Sequence, residues 1–129
     1  MFKQKVVQEA LNRTWEWDYN PGMSPFNPAN GQDMEISLLI YNLFGGEILK
    51  TPSKKSWHFY NRINGKRIDF SNSKVGKFIQ SNRFKDIPVS VDEASQNIDQ
   101  SDYLRFYMKF VKSFEEILGL KRHRTLNLF

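Results

Sequence analysis

Along the chain, apolar positions first recur at the spacing of a helix. Val7, Ala10, Leu11 and Thr14 share one face, which predicts a first helix over about Lys3 to Thr14. Three prolines and two glycines between residues 21 and 31 exclude a helix or a central strand there, so a loop is expected. The helical period then returns. Ile36, Leu39, Ile40, Leu43 and Phe44 fall at i, i+3, i+4, i+7 and i+8, with Asp33 at the start and Gly45-Gly46 at the stop. Extended segments follow at Glu47 to Thr51, Ser56 to Ile63 and Lys66 to Ser71. The last two are joined by Asn64-Gly65, residue types that accept the positive φ of a two-residue hairpin turn. A short helix is predicted near Ser73 to Ser81, and Asp86 to Gln100 reads as irregular or as one edge strand around Ile87 and Val89. The last helix carries a stripe of Tyr103, Phe106, Tyr107, Phe110, Val111, Phe114, Ile117 and Leu118, with Ser101 as cap, Gly119 as stop, and Leu104 and Met108 widening it.

These elements predict an α+β fold in a single domain spanning residues 1–129: a small antiparallel sheet packed against a central helix and a long C-terminal helix. A chain of 129 residues is long enough to bury one core, and with 40% apolar and 15% aromatic residues it is no disordered polyanion or polycation. The absence of cysteine excludes disulfides, thiolate metal sites and a thiol nucleophile. No apolar run approaches the ~20 residues of a membrane span, and the opening residues hold no apolar leader core. The expected location is the cytoplasm, with no membrane partner. The net charge of +5 is concentrated: residues 51–85 hold nine bases against the single acid Asp69. This reads first as a solvated rim. Nucleic acid or another polyanion is the weaker alternative partner, because the aromatics between these bases alternate as core residues do. No nucleotide, flavin or pyridoxal signature is present, so no cofactor is expected.

The hairpin turn fixes a register. With Asn64-Gly65 as the turn, Ile63 pairs with Lys66, Asn61 with Ile68, Tyr60 with Asp69 and Phe59 with Phe70. Alternation then places Trp57, Phe59, Ile63, Ile68 and Phe70 on a core face, with Asn61 its polar exception. His58, Tyr60, Arg62, Arg67, Asp69 and Ser71 share the opposite face. His58 and Asp69 become a diagonal pair within side-chain reach, and a slip of one residue destroys both results.

Several motifs occur in a familiar order: Asn27-Pro28-Ala29-Asn30-Gly31-Gln32-Asp33, then Leu43-Phe44-Gly45-Gly46-Glu47, then His58-Phe59-Tyr60-Asn61-Arg62, then Asp69 on the following strand. Over roughly residues 15–80 this resembles the YunG-like family of small bacterial proteins. More distantly, a residue at a helix start followed by a histidine and an acid on adjacent strands is similar to the papain/transglutaminase-like cysteine hydrolases. That resemblance implies Asp33 at the nucleophile position, His58 as base, Asp69 as its orienting acid and Gln32 as an oxyanion-type donor. The family pattern has cysteine where this chain has Asp33. A carboxylate is a poor nucleophile towards amides, so thiol-type acyl transfer is expected to be absent. Asp33 does keep the negative charge of a thiolate at a helix N-terminus. The expected function is therefore a catalytically impaired, pseudoenzyme member of such a family, a binding or regulatory module rather than an enzyme. Its partner is an unidentified small molecule, peptide or protein in the cleft, with Trp15, Trp17, Tyr60 and Asn61 as candidate contacts. The chain itself is expected as a monomer or weak dimer. Two carboxylates around an imidazole also predict a raised His58 pKa. Alternatives are an acid/base or metal-dependent hydrolase using Asp33, His58 and Asp69, or a polyanion-binding module using residues 51–85. The spacing matches no metal motif, and no metal is expected.

Overall fold

The computed structural model describes residues 2–18, 32–53, 56–70 and 82–119. The predicted 21–31 loop and 73–81 helix lie outside the described residues, as do several bases of the 51–85 cluster. Contacts divide the chain into two compact units, Met1–Pro25 with Asp99–Phe129, and Phe26–Ile98.

In the first unit, α1 spans Gln4–Asp18 and runs past the predicted end at Thr14. Trp15 explains the extension, since it lies eight residues after Val7 and prolongs the face of Val7, Ala10, Leu11 and Thr14, all buried. The Thr14 hydroxyl donates to the Ala10 carbonyl at 2.7 Å, which satisfies a polar group on that face. The C-terminal helix, Gln100–Leu118, packs on α1. It was expected to cover the sheet; its partner within this unit is another helix, and its buried positions are Phe110 and Ser113. Its cap is Asp99 rather than Ser101: the Asp99 carboxylate accepts the Asp102 N–H at 2.9 Å. Gly119 ends it at φ 72°, as the sequence predicts. Leu104 and Met108 are exposed.

The second unit is built on α2 (Asp33–Phe44) and four strands: β1 (Glu47–Pro52), β2 (Trp57–Ile63), β3 (Lys66–Ile68) and β4 (Ile87–Val89). The sheet order is β3-β2-β1-β4 with every pair antiparallel. Asn64 and Gly65 have φ of 53° and 79°, the signature of a type I′ turn, and the ladder pairs Ile63 with Lys66 and Asn61 with Ile68. The predicted register is the observed one. β4 is the edge strand at Ile87–Val89, where Pro88 costs the sheet no interior hydrogen bond. A short helix, Val91–Ser95, follows it; here it is α3, and the C-terminal helix is α4. The α3 segment had no readable period because its five residues span barely more than one turn.

Helix α2 packs on β2 and β1. Asn61, the polar residue on that face, is buried and donates its amide N–H to the Ser37 carbonyl at 3.0 Å, tying helix to sheet. Trp57 departs from the prediction. It stands at the first position of β2 opposite Pro52 and is 44% exposed, with the Lys50 ammonium 4.5 Å from its ring centroid. On the opposite face Leu49 and Tyr60, paired across β1 and β2, are buried. Among the described residues no helix is long and apolar enough to cross a membrane.

Candidate functional site

Asp33 is the first residue of α2, and its side chain turns from the helix to the sheet. The Oδ2 atom accepts the Phe59 N–H at 2.8 Å. The register explains why that donor is available. Phe70 would stand opposite Phe59 if β3 continued, but the ladder stops at Ile68, and the carboxylate takes the strand's place. From there Oδ2 lies 3.4 Å from His58 Nδ1, while His58 Nε2 lies 2.5 Å from Asp69 Oδ2. The structure thus brings together three of the residues singled out from the sequence. Side-chain exposure rises from 1% at Asp69 through 13% at His58 to 20% at Asp33. The second acid is sealed, and the helix-start carboxylate is the open end.

The electrostatics follow from this order. Burial pulls the His58 imidazole down, but hydrogen bonds to Asp33 and Asp69, with their charges, outweigh it and raise its pKa to about 9. Burial works to raise the Asp33 pKa; the bonds from His58 and from the Phe59 N–H prevail and bring it below the usual carboxylate value. At neutral pH the pair is a carboxylate beside an imidazolium.

Sequence reasoning missed the residues that cover this face. The Tyr60 hydroxyl donates to Asp86 Oδ1 at 2.8 Å and accepts the Asp86 N–H at 3.0 Å. Arg67 grips the same carboxylate through Nε at 2.8 Å and Nη2 at 2.6 Å. The Thr51 hydroxyl accepts the Lys85 N–H at 3.0 Å, and Phe84 sets its ring edge-on to Tyr60 and His58, at 5.0 and 6.5 Å between centroids. Residues 84–86 therefore form a strap across β1 and β2. Asp86 holds φ 54°, a left-handed conformation that aspartate tolerates better than most side chains. The available signal was indirect: Arg67 and Tyr60 on a polar face call for an acid, but nothing local marked Asp86.

The remaining predicted contacts separate. Tyr60 lies beside His58, rings 6.1 Å apart and stacked, but its hydroxyl serves Asp86, and burial together with that carboxylate raises its pKa. Asn61 faces α2 on the other side of the sheet, so it holds the core rather than lining a cleft. Gln32 immediately precedes α2, where its carbonyl accepts the Ile36 N–H at 3.0 Å and its side chain makes no cap. Trp15 is buried in the first unit, and the Trp17 side chain lies outside the described residues. Among the described residues no group of three His, Asp or Glu side chains is arranged to hold a metal ion.

A family model described as YunG protein matches residues 3–115. The chain belongs to the YunG family. Over 111 residues it is 31% identical to the uncharacterized protein YunG of Bacillus subtilis (strain 168), which covers 86% of this chain and 94% of that relative. No solved structure matches it. The YunG match extends well beyond the 15–80 span that carries the motifs and takes in most of α4. One of those motifs is structural here. Gly45 and Gly46, at φ 80° and 79°, turn α2 into β1, and a Cβ on Gly46 would lie 2.5 Å from the Arg62 carbonyl oxygen. Glu47 then pairs with Arg62 through two hydrogen bonds of 2.7 and 3.0 Å.

Proposed function

We propose that this chain is a papain/transglutaminase-like scaffold that has lost cysteine-hydrolase chemistry and serves as a binding or regulatory module. The observation that carries this reading is the convergence of Asp33, His58 and Asp69, with a helix-start residue and a second acid addressing opposite nitrogens of one imidazole. An orienting acid on one nitrogen and a nucleophile on the other is the division of labour that imidazole-assisted acyl transfer needs. Asp33 fills the nucleophile position with a group that keeps the charge but cannot form a durable acyl intermediate. A metal-dependent hydrolase is the weaker reading, because both ring nitrogens already face carboxylates. The polyanion reading is weakened by Arg62 and Arg67, two of the nine bases, which pair with Glu47 and Asp86.

The test is Asp33→Cys. In that variant a thiol-directed electrophile such as iodoacetamide is expected to label position 33 rapidly at neutral pH, with the rate falling at least tenfold on adding His58→Gln. A thiol that reacts no faster than free cysteine, with or without His58, would remove the papain-like reading.

A further inference from the structure

Loss of acyl transfer does not remove every reaction open to Asp33. Carboxylates are weak towards amides but competent at saturated carbon when the leaving oxygen stays tethered, strained and protonated as it departs. The site holds both halves of that requirement. The contacts of Asp33 to His58 and Phe59 run through Oδ2, and the attack is assigned to the other oxygen, Oδ1. The two imidazole contacts are unequal. Nε2 is held at 2.5 Å by a sealed carboxylate, whereas Nδ1 sits 3.4 Å from Asp33, the more exposed of the two acids. The Nδ1 proton therefore lies beside the nucleophile.

We propose that this site takes a small epoxide, with Asp33 as nucleophile and His58 as acid. It goes beyond the reading above and needs only the three side chains, not their ancestry. In the first step Asp33 Oδ1 bonds to an epoxide carbon, that carbon's bond to the ring oxygen breaks, and the His58 Nδ1 proton passes to the freed oxygen. A hydroxyalkyl ester on Asp33 and a neutral imidazole result. Oδ2 becomes the ester carbonyl oxygen and remains on the Phe59 N–H, which polarises it. Water then adds to the ester carbon while His58 Nδ1, its Nε2–H held by Asp69, accepts the water proton. The tetrahedral adduct expels the alkoxide, which takes that proton back and leaves as a vicinal diol. Asp33, now a neutral acid, returns its proton to His58. The sum is epoxide plus water to diol, with no other reactant.

The experiment uses the full chain and styrene oxide. Brief exposure is expected to add the mass of one styrene oxide, mapping by peptide analysis to Asp33. A single turnover in heavy-oxygen water is expected to place the label in the Asp33 carboxylate and not in the diol. His58→Gln is expected to slow adduct formation by about 100-fold, and Asp33→Asn to abolish it with the far-ultraviolet circular dichroism unchanged. No adduct and no diol above the buffer blank, label spread over several carboxylates, or heavy oxygen appearing in the diol on the first turnover would each overturn the proposal. Rapid labelling of Asp33→Cys by iodoacetamide alongside an inert native chain would overturn this inference alone; an active native chain with an unreactive Asp33→Cys would remove the papain-like scaffold and the binding-module role together and keep this inference.

Discussion

Two carboxylate-centred clusters lie next to each other on one face of the sheet, and their balance is opposite. Asp86 is a single acid served by Arg67 through two nitrogens, by the Tyr60 hydroxyl and, at 3.8 Å, by Arg62. Asp33 and Asp69 are two acids sharing one imidazole. In the first, three side-chain hydrogen bonds converge on one carboxylate, and the Asp86 pKa is held down, chiefly by Arg67. Such a cluster fixes a segment of chain. In the second, two carboxylates face one imidazole and one of the two contacts is the longer by 0.9 Å, 3.4 against 2.5 Å. The difference separates a clasp from a candidate reactive centre.

The largest effect on stability should come from breaking the clasp. Arg67→Ala is expected to cost about 1.5–3 kcal/mol in urea unfolding, the range for hydrogen bonds to a charged group. The His58 titration midpoint should barely move. If it falls as far as in the carboxylate variants, the two clusters are one unit. Next, Asp69→Asn and Asp33→Asn should each lower the His58 midpoint from about 9 by roughly one unit or more, read by NMR of the imidazole protons. An unchanged midpoint in either would show that its carboxylate does not hold the ring's charge.

The native chain should also show a pH slope. The folded pKa of His58 lies above the ordinary 6.5, so the stability its charge contributes is complete below about 6.5. It is lost as pH rises through about 9. Asp33 has the opposite sign: its contribution is present above the ordinary 3.8 and lost as pH falls through its lowered folded value. The alkaline part of the slope should flatten in His58→Gln, measured as urea midpoints across that range. The smallest effect is expected from Glu47→Ala. Its pair with Arg62 is geometrically good but open to solvent, so the unfolding midpoint should not change resolvably.

Period and turn chemistry made much of the architecture legible. Asn64-Gly65 set the register, the register set His58 near Asp69, and the i, i+3, i+4 pattern from Ile36 put Asp33 at a helix start. Local rules fail where a decision depends on distant chain. Tyr60 alternates with polar residues and looks exposed, yet residues 84–86 arrive from more than twenty positions away to bury it. Trp57 alternates with core residues and stays outside, because it lies at the end of its strand. Of the stripe on α4 only Phe110 is buried and Leu118 is exposed, and the period alone cannot say whether that face meets a sheet or a helix. Gln32 and Asn61 carried motif positions, and only the fold shows one as backbone acceptor and the other as a core tie.

The β3 ladder ends two pairs short of Phe59, and this makes the Phe59 amide hydrogen a contested resource. The hairpin and the α2 carboxylate cannot both have it. Any change that zips the two strands as far as the Phe59–Phe70 pair would evict Asp33 from its seat and pull the imidazole's more distant neighbour away. The length of a strand, a property usually assigned to architecture alone, therefore acts here as a tuning screw on the chemistry beside it.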